Sequence, residues 1–180
     1  MKTRITEEEH KKVIDFFVEQ QCRIATQSFK ETKGLVPFTA ILAKHKNEYK
    51  AGIIPMPLEL LNSAEGKDYF RDVVIEGVKK KMREDDHIIL CVNFTSEAWA
   101  YQGEIGGDIE DMRENYRKLP RKEILILSFD SKDGTRVITY DINRNMFVND
   151  KGLDETVDVE LTKMGDEVSS FGGRFANMFD

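Results

Sequence analysis

Apolar residues recur at helical spacing near the start of the chain, at Val13, Ile14, Phe17, Val18, Ile24, Ala25 and Phe29. Steps of three and four place them on one stripe of a helix. Thr6 and Glu9 form a capping box ahead of the stripe, each side chain satisfying a free N–H of the first turn. Lys30 and Lys33 suit the negative end of the helix dipole, and Gly34 is a suitable stop. The pattern predicts a helix over residues 7–31. Residues 36–43 and 49–54 then read as two strands joined by the polar turn Lys44-His45-Lys46-Asn47-Glu48. Pro55 and Pro57 end the second strand, because proline cannot donate to a ladder. Residues 58–64 fit a short helical turn. Helical spacing returns over residues 67–84, with Tyr69, Phe70, Val73, Val74, Val78 and Met82 on one face.

The densest apolar runs follow. Residues 88–94 are apolar nearly throughout, which predicts a strand covered on both faces. After a loop at 103–107, Asp108 can cap a short helix reaching 118, with Ile109, Met112 and Tyr116 turned inward. Strands are predicted at 123–129 and 135–143, joined by a hairpin that contains Asp133-Gly134. This order describes an α+β domain over residues 1–149. Its expected form is two layers, a mixed sheet of about five strands packed by two amphipathic helices. Residues 150–170 are polar and acidic with a weak alternation at Val157, Val159 and Leu161, which suits a linker or a loosely attached edge strand. The remaining residues to 180 turn aromatic. There is no internal repeat.

Charge sharpens this division. The net charge is −6, and residues 150–180 hold most of it, with three basic against eight acidic side chains. An acidic total argues against general affinity for a nucleic-acid backbone. The basic run Lys79, Lys80, Lys81 and Arg83 is followed by Glu84, Asp85 and Asp86 and reads as a solvated helix end. No apolar run approaches the ~20 residues of a membrane helix. The first residues lack a signal-peptide core, so a cytoplasmic location is expected. Cys22 and Cys91 sit among apolar residues and read as small buried hydrophobes in a reducing compartment.

Candidate chemistry gathers at Ser96-Glu97-Ala98-Trp99, just past a central strand, a place that often hosts a ligand crevice. Glu97 would serve as a general acid or base if burial raised its pKa, with Arg121 as its cationic partner. The plainer reading is an ion pair of Glu97 with Arg121, Lys122 or Arg113 beside a packed Trp99. Glu104, Asp108, Glu110 and Asp111 offer carboxylates to a hard cation, but acidic residues also favour a helix start. The glycines at 103, 106 and 107 lack the phosphate-cradle pattern. Asp130-Ser131-Lys132-Asp133-Gly134 lacks calcium-loop spacing and reads as a turn. His10, His45 and His87 lie far apart in sequence, and neither serine nor cysteine has an identifiable base. No metal or cofactor is expected. At the other end, Phe171, Phe175, Met178 and Phe179 fall at i, i+4, i+7 and i+8 around Arg174, one apolar face if helical. Such a segment after an acidic linker suits docking in a partner's groove, on its own domain or on a second copy. Gly172 and Gly173 weaken the helix.

The combination of Phe94-Thr95-Ser96-Glu97-Ala98-Trp99, a loop, and Pro120-Arg121-Lys122-Glu123 resembles small proteins of bacteriophages and other mobile elements. The segment Gly66-Lys67-Asp68-Tyr69-Phe70 that opens the second helix fits as well. The resemblance spans residues 36–144 and implies a setting, with Glu97, Trp99, Arg121 and Glu123 as the shared cluster, but no reaction. The expected role is a non-enzymatic interaction protein. It would bind a virion component, a host factor or itself, partly through Phe171, Arg174, Phe175, Met178 and Phe179. The alternative is a small hydrolase or nucleotide-handling enzyme with a pocket at Glu97, Trp99, Arg121 and Glu123.

Overall fold

A computed structural model describes residues 7–61, 63–101, 120–148, 151–152 and 154–169. The first helix, α1, spans Glu7–Thr32. It buries Phe17, Val18, Ala25 and Phe29 of the predicted stripe together with Gln21, packs Val13 and Ile14 partly against the same core, and leaves Ile24 exposed. Burying a side chain the size of Phe29 contributes roughly 1.5–3 kcal/mol, so this face, more than propensity, holds the helix. Its end differs from expectation by one residue. Lys33 takes the left-handed conformation, at φ 58°, rather than Gly34.

Strands β1 (Phe38–His45) and β2 (Glu48–Pro55) form a hairpin whose turn is two residues long, Lys46-Asn47, tighter than the polar run suggests. Helix α2 (Leu58–Leu61) is the short turn after the prolines. Helix α3 (Ala64–Tyr69) runs through a π-helical stretch, Phe70–Ile75, into α4 (Glu76–Glu84). Gly66 has a steric reason: a Cβ there would lie 2.3 Å from the Leu60 carbonyl oxygen. Strands β3 (His87–Tyr101), β4 (Arg121–Ser131), β5 (Gly134–Val148) and β6 (Asp154–Ser169) complete the chain's described part. The β4–β5 hairpin forms where expected, but its turn is the two residues Lys132-Asp133, shorter than the five-residue connection predicted, and Gly134, at φ 128°, opens β5 opposite Ser131.

The protein is α+β, but among the described residues its sheet is antiparallel throughout and has six strands in the order β2-β1-β3-β4-β5-β6. This corrects the mixed, five-stranded expectation. A helical connection does leave β2 and β3 running the same way, but β1 is inserted between them and opposes both. The additional strand is β6, which pairs with β5 from Val148↔Asp154 to Thr135↔Ser169. The weakly alternating residues therefore belong to the sheet, and Val159 is buried in the core. Strand β3 also continues through Ser96–Trp99, where a strand end was expected.

Alternation along the strands divides the core into two clusters. Phe38, Ala40 and Leu42 of β1 join Leu125, Leu127, Phe129, Ile138 and Ile142 against α1. Ile41 and Val92 point the other way, to Met56, Phe70 and Ile75. Helices thus cover both faces of β1 and β3, which is why residues 38–43 and 90–93 are all buried. The two-layer expectation placed both helices on one face. The predicted helix at 108–118, the glycine loop with Glu104, Asp108, Glu110 and Asp111, and Phe171, Arg174, Phe175, Met178 and Phe179 lie outside the described residues.

Candidate functional site

Glu97, Trp99, Arg121 and Glu123 do come together, through strand register. Trp99 lies opposite Glu123, Glu97 opposite Leu125, and Tyr101 opposite Arg121 on the antiparallel pair β3–β4. Glu97, Trp99, Arg121 and Glu123 are odd-numbered on these strands, so they share the face that packs α1. Leu125 and Leu127 mark that face in the core.

The partner of Glu97 is a residue that sequence reasoning missed. Arg144, on β5, donates twice to Glu123, from Nε to Oε2 at 2.8 Å and from Nη2 to Oε1 at 2.7 Å. Its Nη2 is 3.4 Å from Glu97 Oε2, and its Nη1 donates to the Lys33 carbonyl at the end of α1. The guanidinium carbon stands 5.2 Å from the Phe29 ring centre. The Leu35 N–H donates to Glu97 Oε1. One arginine thus joins β3, β4, β5 and the C-terminal end of α1. It also satisfies a carbonyl of a left-handed lysine, a conformation that costs about 1 kcal/mol without glycine. Arg121 does not take the role of ion-pair partner. Its guanidinium carbon lies 4.5 Å from the Trp99 ring centre, a cation–π contact at the exposed edge of the cluster.

The two carboxylates titrate apart. Burial pushes the Glu97 carboxyl up, and hydrogen bonding and charge from Glu123 add to this, against the Leu35 N–H and Arg144. Hydrogen bonding from Arg144 holds Glu123 below its ordinary range. A proton entering the pair goes to Glu97. This divided carboxylate pair is the pattern an acid/base site needs, but a structural ion pair produces it too.

Beside Glu97 an open groove of about 580 Å³ is walled by Ile24, Val36, Ile53 and Leu58. These four apolar side chains are all exposed, from 39 to 54%. Ile53 is on β2, the edge of the sheet, so among the described residues this groove runs beside an unpaired strand edge.

The other candidates separate cleanly. Among the described residues no cluster of three or more His, Cys, Asp or Glu side chains could hold a metal ion. His45 and His87, remote in sequence, stack as a cross-strand pair with ring centres 4.7 Å apart. Cys22 and Cys91 are free, and burial pushes the Cys91 thiol up to about 12. Of the basic run, Lys79 is buried and pairs with Glu76, and Lys81 pairs with Asp85. Among the described residues no helix is long and apolar enough to cross a membrane. No family model, no curated protein and no solved structure matches this chain.

Proposed function

We propose that this protein works by holding another protein, as a non-enzymatic interaction component of a phage or mobile element, in the host cytoplasm or on the virion. The setting rests on the resemblance carried by residues 94–99 and 120–123. The binding reading rests on the contrast at Glu97. Glu97, Glu123 and Arg144 are engaged with one another and with the backbone of residues 33 and 35. The adjoining groove instead exposes Ile24, Val36, Ile53 and Leu58. The partner that fits is an extended protein segment added to the edge of β2, its apolar side chains seated on Ile53 and Leu58. The aromatic residues Phe171, Phe175, Met178 and Phe179, with Arg174, supply a second contact.

The test is capture from the native cell or infected host with three chains: the full one, an Ile53→Lys/Leu58→Lys variant and one ending at Val168. The full chain is expected to retain a protein that the groove variant loses and the shortened chain holds less well. Retention of nothing by the full chain, or equal retention by all three, overturns the reading.

A second reading has one observation in its favour. A carboxyl pushed up by burial borders an open groove, as a general acid would. A hydrolase or nucleotide-handling enzyme with Glu97 as acid/base and Arg121 as a substrate contact fits this. Glu97→Gln distinguishes the two: an enzyme folds and loses turnover, whereas a binding protein keeps its partner.

A further inference from the structure

The N-terminal half of α1 is seated on the sheet quite differently from its C-terminal end. Two adjoining hollows of about 510 and 400 Å³ lie along it and share Lys11, Ile14 and Asp133. Together they form a trough between the helix and the β4–β5 hairpin. Its floor and walls are apolar, with Ile14, Val18, Ile88, Leu90 and Phe129. The described links across it are two long ion pairs, Lys132–Glu7 at 3.7 Å and Arg136–Asp15 at 3.7 Å. His10 lines the trough, and its Nε2 is buried without a hydrogen-bond partner.

Strand β6 delivers the chain to the mouth of this trough. Val168, 77% exposed, is part of its lining, and Ser169 pairs with Thr135, which lines it too. Eleven residues follow, 170–180. We infer that residues 170–180 occupy the trough of their own chain, with Phe171, Phe175, Met178 and Phe179 against Ile14, Ile88 and Phe129.

Three features select this occupant. The reach is right: eleven residues span about 16 Å as a helix, the same length as α1 from Glu7 to Phe17. The pattern is right: the four large apolar residues share one face at i, i+4, i+7 and i+8. The charge is compatible: Arg174 and Asp180 are the charged side chains of the segment, and the rim offers both signs, Glu7, Glu8, Asp15 and Asp133 beside Lys11, Lys132 and Arg136. Attachment at Ser169 adds an effective concentration in the millimolar range, which a free partner does not have. The inference stands without a partner. Where the partner proposed above also takes this segment, trough and partner compete for it.

The test uses the full purified chain with p-benzoylphenylalanine in place of Phe175. An equal mixture of isotopically heavy and light chains is irradiated at low micromolar concentration, and adducts are mapped by mass spectrometry. The expected adducts lie within one chain, on residues 7–18, 88–91 or 129–135. In a second chain that also carries Ile88→Asp, at an exposed position of the wall, they fall at least ten-fold while circular dichroism is unchanged. Heavy–light adducts would assign the trough to a second copy and overturn the inference. So would adducts elsewhere, no adducts, or indifference to Ile88→Asp. No partner is present, so failure here is distinct from failure of the capture experiment.

Discussion

The two ends of α1 make opposite use of the same kind of residue. At the C-terminal end Arg144 binds Glu123 through two short hydrogen bonds, reaches Glu97 and holds the Lys33 carbonyl over a buried Phe29. At the N-terminal end Lys132 reaches Glu7 across 3.7 Å with both side chains largely in solvent, while the Arg136 guanidinium is committed to Asp166 of β6 by two short hydrogen bonds and only approaches Asp15, at 3.7 Å. Both ends hold ion pairs, yet only the first is built to carry load. The difference is geometry and water: a bidentate, partly buried guanidinium is held in place, whereas an exposed pair gains little over hydration. A helix fixed at one end and loosely seated at the other leaves room beneath the loose end, and there the trough lies.

This contrast can be broken from either side. The largest effect is expected from Phe29→Ala, which removes a fully buried ring beneath the brace and costs about 3–5 kcal/mol in a urea titration. Arg144→Ala comes next. It leaves two neighbouring carboxylates without their cation and a carbonyl without its donor, a loss of about 2–3 kcal/mol once partial exposure is allowed for. An unchanged urea midpoint for Arg144→Ala would refute the brace.

Glu97→Gln sharpens the comparison through pH. A carboxyl raised by burial contributes stability that is present at low pH and lost as pH rises through its folded value. Glutamine keeps an acceptor for the Leu35 N–H and carries no charge. The variant is therefore expected to be at least as stable as the parent at pH 7, within about 1 kcal/mol, and the gap to close as pH falls through the Glu97 titration. Asp166 has the opposite sign. Hydrogen bonds from Arg136 and Lys163 hold it well below the usual carboxylate range. Its contribution is present above the ordinary aspartate pKa and disappears as pH falls through the depressed value, so Asp166→Asn and the parent converge only in strong acid. The smallest effect is expected from Lys132→Ala, whose ion pair is exposed on both sides; its urea midpoint should match the parent's. Hydrogen exchange should nevertheless separate the two ends, with amides of residues 11–17 opening more readily than those of 25–31. Equal protection would remove the contrast.

Much of this was legible in the chain. The stripe from Val13 to Phe29 apart from Ile24, the doubly covered apolar run of β3 and the hairpin ahead of Gly134 are local patterns, and each appears close to where its spacing puts it. The gathering of Glu97, Trp99, Arg121 and Glu123 was legible as well, because an apolar strand followed by another confines the flanking residues to one end of a sheet. Arg144 was not. It stands 47 residues from Glu97, in a polar strand end, and an isolated arginine carries no periodic signal. Pairing Glu97 with Arg121 was a choice among charges of equal standing. The neighbouring indole took Arg121 instead, because Trp99 lies across the strand pair within reach of it.

Sequence by itself determined the helices and strands from α1 to β5 that the described residues contain, since those follow from periods of 3.6 and 2 and from local turn chemistry. Tertiary structure alone decided the insertion of β1 between β2 and β3, the recruitment of β6, the meeting of His45 with His87, and the choice of Arg144 as the brace. Each of these is a pairing between distant segments. It is set by which long-range register buries the most apolar surface while leaving no charged group without a partner, and no single segment carries that information.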